Sequence, residues 1–420
     1  MTHRLDRTDA FLTEFEACLE AQQNFPSGVA VRLDRSAFYP SAGGQPHDTG
    51  RLIIGGSERK VLEVFEKNGA LWHLLDAAPP AADPAVRGRI DWTRRFDHMQ
   101  QHSGQHLLSQ AFARRTGLDT IAVHIGAQEC TLDLPAPSID AAVLDAVEDD
   151  ANAVVYDDRA LKIYEVDEAQ VHLVPLRTAP KVSGRVRIVE IDGYDWSACG
   201  GTHVRGTGQI GIIKLLRTER RAESTRVTFL CGARALRDYR TMHRDVSELA
   251  AGMSVARAEL PQAVTRLRDE ARAAAKALAA AQAQLDELEA RDLLAAAVAL
   301  PGGGRAVAAV WDDRDAAALR NMAKRLTAGP GVVALLAVTG EGDRAQLCFA
   351  RSHDVALDAA PLLRATLQSL GGARGGGTPD FAQGGGIVAT SAVLQRALDQ
   401  RIQELAQYTG DLKGYIQHLG

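Results

Sequence analysis

The chain has 420 residues, 46% of them apolar and 24% charged, with a formal net charge of −5. That length suits two or three domains with ample cores, and the weak acidity excludes a wholly basic nucleic-acid coat while allowing a local basic face. Cys18, Cys130, Cys199, Cys231 and Cys348 are scattered and odd in number and no run of 18 apolar residues occurs, so a reducing, cytoplasmic compartment is expected and a secreted or membrane-spanning chain is not.

Residues 1–90 read as short strands and turns, with alternating patterns at 28–33 and 60–65. Between these lies Phe38-Tyr39-Pro40-Ser41-Ala42-Gly43-Gly44-Gln45-Pro46, followed by Asp48-Thr49-Gly50. Its glycines allow positive φ and close approach of a ligand, although a plain hairpin loop satisfies the spacing equally. An Ala- and Pro-rich stretch at 77–84 marks a boundary.

Residues 97–115 have a helical pattern stopped by Gly117. This helix carries His102-Ser103-Gly104-Gln105-His106, and the four-residue spacing puts both imidazoles on one face. Strands are expected at 122–126 and 130–134, an acidic, solvated helix at 138–154, and further strands at 161–166 and 186–191. A glycine-rich turn then holds Cys199-Gly200-Gly201-Thr202-His203. Each half is a weak signal alone, but the two together supply the imidazole and thiolate donors of a tetrahedral zinc site. The alternative is two satisfied surface histidines and an unrelated buried cysteine.

From Arg205 to Arg244 ten basic residues face three acidic ones. Arg217, Arg220 and Arg221 within it are candidate contacts to a phosphate-bearing substrate, against an ordinary solvated face. Leu260, Val264, Leu267, Ala271, Ala274, Leu278, Ala281, Leu285 and Leu288 then form a heptad seam. It predicts a long helix pairing within one chain or between two copies, a homodimer through this arm or the C-terminal domain. The remainder alternates strands (307–310, 332–338, 345–350) with helices (315–326, 356–370, 391–407). Residues 371–386, half of them glycine, read as a backbone-donor nest for phosphate or sugar rather than a linker. The run lacks the Lys-Ser/Thr ending of a P-loop, which disfavours ATP binding and nucleotide hydrolysis.

Four of these motifs together resemble a known family. His102 to Leu108, and Cys199 to His203 followed by Thr207-Gly208-Gln209-Ile210-Gly211, are similar to the editing domain of alanyl-tRNA synthetase. The Phe38–Gly50 motif resembles the glycine motif just upstream of that domain, and Pro379-Asp380-Phe381-Ala382-Gln383-Gly384-Gly385 resembles the C-terminal DHH-associated domain. With no aminoacylation domain preceding them, the set resembles the long form of the AlaX family of free-standing alanyl-tRNA editing proteins. The implied architecture is α+β: a β-barrel-like subdomain (1–90), an α+β editing domain with a zinc site (91–248), a coiled-coil-like arm (249–300) and a C-terminal α/β tRNA-binding domain (301–420).

The implied activity is deacylation of tRNA(Ala) mischarged with serine, or with glycine, assisted by Zn2+. His102, His106, Cys199 and His203 match the catalytic metal positions, and we expect three firm ligands with His203 as a looser fourth. Gly43, Gly44, Gln45, Ser103, Gln105 and His124 are candidate substrate contacts, Gln105 standing where many synthetases carry threonine. Arg374, Gly376, Asp380 and Gln383 are candidate tRNA contacts. The rival reading is a non-catalytic tRNA-binding or regulatory protein with a structural zinc.

Overall fold

The computed structural model describes residues 2–80, 84–179, 184–372, 374–408 and 412–415, so 81–83 of the expected boundary and Ala373 of the glycine run lie outside the described residues. The chain divides into two compact units, residues 1–257 and 258–420.

The first unit opens with a closed barrel of β1 (Glu14–Phe25), β2 (Gly28–Leu33), β3 (Gly50–Ile54), β4 (Ser57–Lys67), β5 (Ala70–Leu75) and β6 (Ala85–Ile90). Neighbours run antiparallel in the order β1-β2-β5-β4-β3-β6, and β6 closes on β1. Alternate residues turn inward: Val86, Gly88 and Ile90 of β6 are buried and the residues between them exposed. Phe15, Val31, Leu33, Leu52, Ile54, Val61, Val64 and Leu75 fill the interior. Closure leaves no unpaired edge to aggregate.

His73 is buried here, its Nε2 2.8 Å from Ser36 Oγ and its Nδ1 3.2 Å from the Val31 carbonyl. Burial pushes the imidazole down to about 4 from an ordinary 6.5. The unfolded chain therefore takes up this proton first, so the stabilisation is complete above pH 6.5 and drains away as pH falls towards 4. Between pH 7 and pH 5 the wild type should lose about 2 kcal/mol more than His73→Asn in denaturant titrations. Parallel losses in the two proteins would contradict this.

Helix α1 (Trp92–Thr116) begins five residues before the position expected from periodicity, because the Asp91 side chain caps it by accepting from Arg94 N at 3.2 Å. It ends, as expected, at a left-handed Gly117. The helix is buried on most of its circumference although much of it is polar. Its polar side chains are spent on neighbours. Arg95 grips Asp48 of the glycine-motif segment, Gln100 donates to the Gln209 carbonyl, and Gln101 exchanges bonds with both backbone groups of Cys231. Such a spine holds loops that are distant in sequence in one register.

Around α1 lie two antiparallel sheets. One is ordered β12 (Ile213–Arg221), β13 (Ser224–Cys231), β8 (Cys130–Leu134), β7 (Ala122–Ile125); the other is β9 (Leu161–Asp167), β10 (Arg185–Ile191), β11 (Asp195–Ala198). Helix α2 (Ala141–Tyr156) packs on α1, and α3 (Gly232–Gly252) follows β13. The acidic face of α2 is not simply solvated. Glu148 accepts from Lys214 Nζ and Leu215 N, and Asp150 pairs with Arg115.

In the second unit, helix α4 (Leu260–Ala295) carries the heptad seam as one 36-residue helix. Leu267 and Leu278 on it are 58% and 71% exposed, so among the described residues nothing covers the seam at these positions. The sheet that follows is ordered β14 (Val298–Ala299), β15 (Arg305–Trp311), β16 (Val332–Thr339), β17 (Arg344–Arg351), β19 (Phe381–Val388), β18 (Arg374–Gly377), with only β15 and β16 parallel. Helices α5 (Ala316–Leu326), α6 (Ala359–Ser369) and α7 (Ser391–Gln407) cover it.

The glycine run is a β-hairpin, not the anion nest expected from its composition. Gly384 and Gly385 pair with β17 on one side and β18 on the other, which commits their strand to ladders rather than to a ligand. Glycine is required for packing: a Cβ on Gly375 or Gly384 would lie 2.4 Å from Leu367 Cδ1 of α6. Among the described residues no helix is long and apolar enough to cross a membrane.

Candidate metal centre

Helix α1 presents His102 and His106, and the loop after β11 presents Cys199 and His203. Their donor atoms all lie within 4.8 Å of one another. Cys199 Sγ is 3.4 Å from Nε2 of both His102 and His203. Tetrahedral zinc bonds of about 2.0–2.3 Å put neighbouring donors about 3.5 Å apart, which the two Cys199 separations match. His203 is as deeply placed as the others, 1% exposed. The loop passes close enough because residue 201 is glycine, where a Cβ would sit 2.2 Å from His102 Cε1.

His102 and His203 turn Nε2 inward because Nδ1 is engaged elsewhere. Gln45 Oε1 accepts from the Thr202 backbone N–H at 3.1 Å, which fixes the amide orientation, and lies 2.8 Å from His102 Nδ1. Nδ1 of His102 must therefore carry the proton, leaving Nε2 a free donor for a metal. Ser103 Oγ accepts from Val204 N and lies 3.1 Å from His203 Nδ1. Asp195 Oδ2 stands 3.6 Å from His106 Nδ1, and Arg177 and Ser197 hold the carboxylate in place. Both ring nitrogens of His106 are buried without a protein hydrogen-bond partner among the described residues, which leaves either able to take a ligand.

Burial disfavours a charge on His106, but Cys199 and Asp195 outweigh it and push the imidazole up to about 9, so a metal ion bound there would displace its proton. Burial favours the neutral thiol of Cys199, but the surrounding His102, His203 and His106 outweigh it and hold the group well below its ordinary value, as a thiolate. Burial and the repulsion of His102 push His203 down to about 3, so it stays neutral and can donate an electron pair. Three imidazoles and one thiolate are a donor set that zinc takes readily.

The expected substrate residues fall into two groups. Gly43 and Gly44 adopt left-handed φ of +56° and +82°, and the Gly44 carbonyl accepts from Ile125 N of β7, the strand that carries the exposed His124. The glycine loop, β7 and the metal cluster are thus joined, through Gln45, into one wall. Gln45 and Ser103 lie against Nδ1 of His102 and His203, and Gln105 donates to Ser109 Oγ at 2.8 Å. Among the basic residues, Arg217 forms a two-point pair with Glu129, and Arg221 lies near Glu219. The local excess of charge is therefore partly neutralised by acids from elsewhere in the chain. Arg374 and Asp380 are exposed on the hairpin, and Gln383 lies in its second strand beside the half-buried Gly376. Asp195 was not legible as a functional residue, for an isolated aspartate after a turn carries no spacing signal.

The first unit is thus a barrel-linked α+β fold with a Cys-His cluster and the second a glycine-hairpin α/β fold. Residues 186–227 match the threonyl and alanyl tRNA synthetase second additional domain, and residues 302–407 match the DHHA1 domain. The alanyl-tRNA editing protein AlaX-L of Pyrococcus horikoshii is 28% identical over 392 residues, covering 91% of this chain and 94% of that protein. AlaX-M of Methanosarcina mazei is 33% identical over 240 residues, covering 54% of this chain and 94% of its own length. The alanine–tRNA ligase of Pyrococcus abyssi is 31% identical over 400 residues, and there the match spans 91% of this chain but 42% of the ligase. The chain belongs to the AlaX family of alanyl-tRNA editing proteins.

Proposed function

We propose that the chain hydrolyses the ester of tRNA(Ala) mischarged with serine, and with glycine to a lesser degree. The observation that carries this reading is the convergence of His102, His106, Cys199 and His203 beside the glycine loop. An aminoacyl ester is already activated, so hydrolysis needs positioning, water and polarisation of the carbonyl. A bound zinc ion would supply fixed positive charge that orients the polar groups of the aminoacyl end. Gln45, Ser103 and Asp195 keep the donors aimed, and the Gly43–Gly44 backbone walls the site where the acceptor end would lie. The second unit would hold the body of the tRNA through the hairpin that bears Arg374, Gly376, Asp380 and Gln383.

Selectivity follows from hydrogen bonding. A pocket that pairs with the serine hydroxyl leaves its own polar groups unpaired when alanine enters. Four protein donors complete a tetrahedron, which also suits the second reading, a tRNA-binding protein with a structural zinc.

A deacylation panel of Ser-, Gly- and Ala-tRNA(Ala) beside Thr-tRNA(Thr) separates the two. The wild type is expected to cleave the seryl ester at least about 100-fold faster than the alanyl ester. Intact tRNA binding with no cleavage of any ester would establish the second reading instead.

A further inference from the structure

Inside the first unit, buried and half-buried arginines are matched to carboxylates. Arg4 pairs with Asp6, Arg95 with Asp48, Arg177 with Asp195 and Arg234 with Asp97. The half-buried Arg187 of β10 breaks the pattern: among the described residues no carboxylate lies within ion-pair distance of it. Its Nη1 donates to the carbonyls of Cys199 and Gly201 at 2.8 Å and 3.0 Å, which sets the guanidinium against the metal loop. Among the described residues Nε is buried with no partner and Nη2 makes no hydrogen bond.

The Cys199 thiolate does not balance this cation once a divalent ion is bound. Three neutral imidazoles and one thiolate around such an ion leave a centre of net charge about +1. A poorly solvated guanidinium beside a centre of the same sign calls for an external anion, and its unbonded Nη2 is the donor left for one. In an aminoacyl-tRNA the amino acid's carboxylate is consumed by the ester and its amino group is cationic. The anions near the reacting bond are then the phosphodiesters of the last nucleotides.

We propose that Arg187 anchors a phosphodiester of the single-stranded 3′ end of the aminoacyl-tRNA, beside the metal centre. This rests on the function proposed above. It assigns the acceptor end to a residue outside the basic stretch of 205–244.

The test measures binding of full-length wild type, Arg187→Gln and Arg187→Lys to tRNA(Ala), across a range of salt concentrations. Each protein is given intact tRNA and tRNA lacking its last two nucleotides, and its metal content is measured. Arg187→Gln should weaken intact tRNA by about 10-fold or more and lower the slope of log K against log salt by about 0.7, the value for one single-strand phosphate contact. Arg187→Lys should keep most of that slope, the shortened tRNA should bind wild type and Arg187→Gln alike, and metal content should be unchanged. Equal weakening on intact and shortened tRNA, or loss of metal in both variants, would overturn the assignment and leave Arg187 as a brace for the loop. Wild type that binds tRNA yet cleaves no ester would instead remove the proposed function, a result read separately.

Discussion

Arg95→Leu should cost the first unit about 3–5 kcal/mol in chemical denaturation, the largest stability effect expected of a single residue here. Arg95 and Asp48 are both 0% exposed. Arg95 donates to Asp48 at 3.0 Å and to the carbonyls of Ala10 and Ala37, while the Tyr39 N–H donates to the same carboxylate. Removing the guanidinium strands a buried carboxylate and two carbonyls, and unpins the glycine-motif loop from α1. Asp48→Asn should be milder, since an amide still accepts from Arg95 and Tyr39. A loss under about 1 kcal/mol for Arg95→Leu would show that the network relaxes without its cation.

The second large effect concerns the metal ligands. Cys199→Ala is expected to lower seryl-tRNA hydrolysis by on the order of 100-fold or more, because it removes the charged donor of the cluster. Gln45→Ala and Asp195→Asn leave all four donors in place but alter the groups beside Nδ1 of His102 and His106, together with their bonds to Thr202 and to Arg177 and Ser197. Each should weaken zinc by about 10–100-fold in competition with a chelator, while leaving the cluster able to load at excess metal. Wild-type affinity in both variants would mean that packing alone sets the imidazoles.

These residues show what the sequence carries and what it does not. Periodic signals survived folding: His102 and His106 four apart on a helix, the Gly117 stop and the alternating barrel strands are local and were legible. Partners brought from afar were not. Gln45 reaches His102 across 57 positions, Arg217 finds Glu129 across 88, and nothing in their neighbourhoods announces either contact. The glycine run misled for a different reason. Glycine chosen so that Leu367 can pack closely has the same composition as glycine chosen to cradle an anion. Likewise, the early start of α1 depends on the Asp91 cap rather than on apolar spacing.

The central claim is that a loop cysteine and histidine fold back onto a buried helix to hold one zinc ion. Elemental analysis of the full-length chain, purified without added metal and compared with Cys199→Ala, tests it most directly. About one zinc per wild-type chain and a small fraction of that in the variant is the expected result. A wild-type chain that is folded, competent to bind tRNA and free of stoichiometric zinc would contradict it.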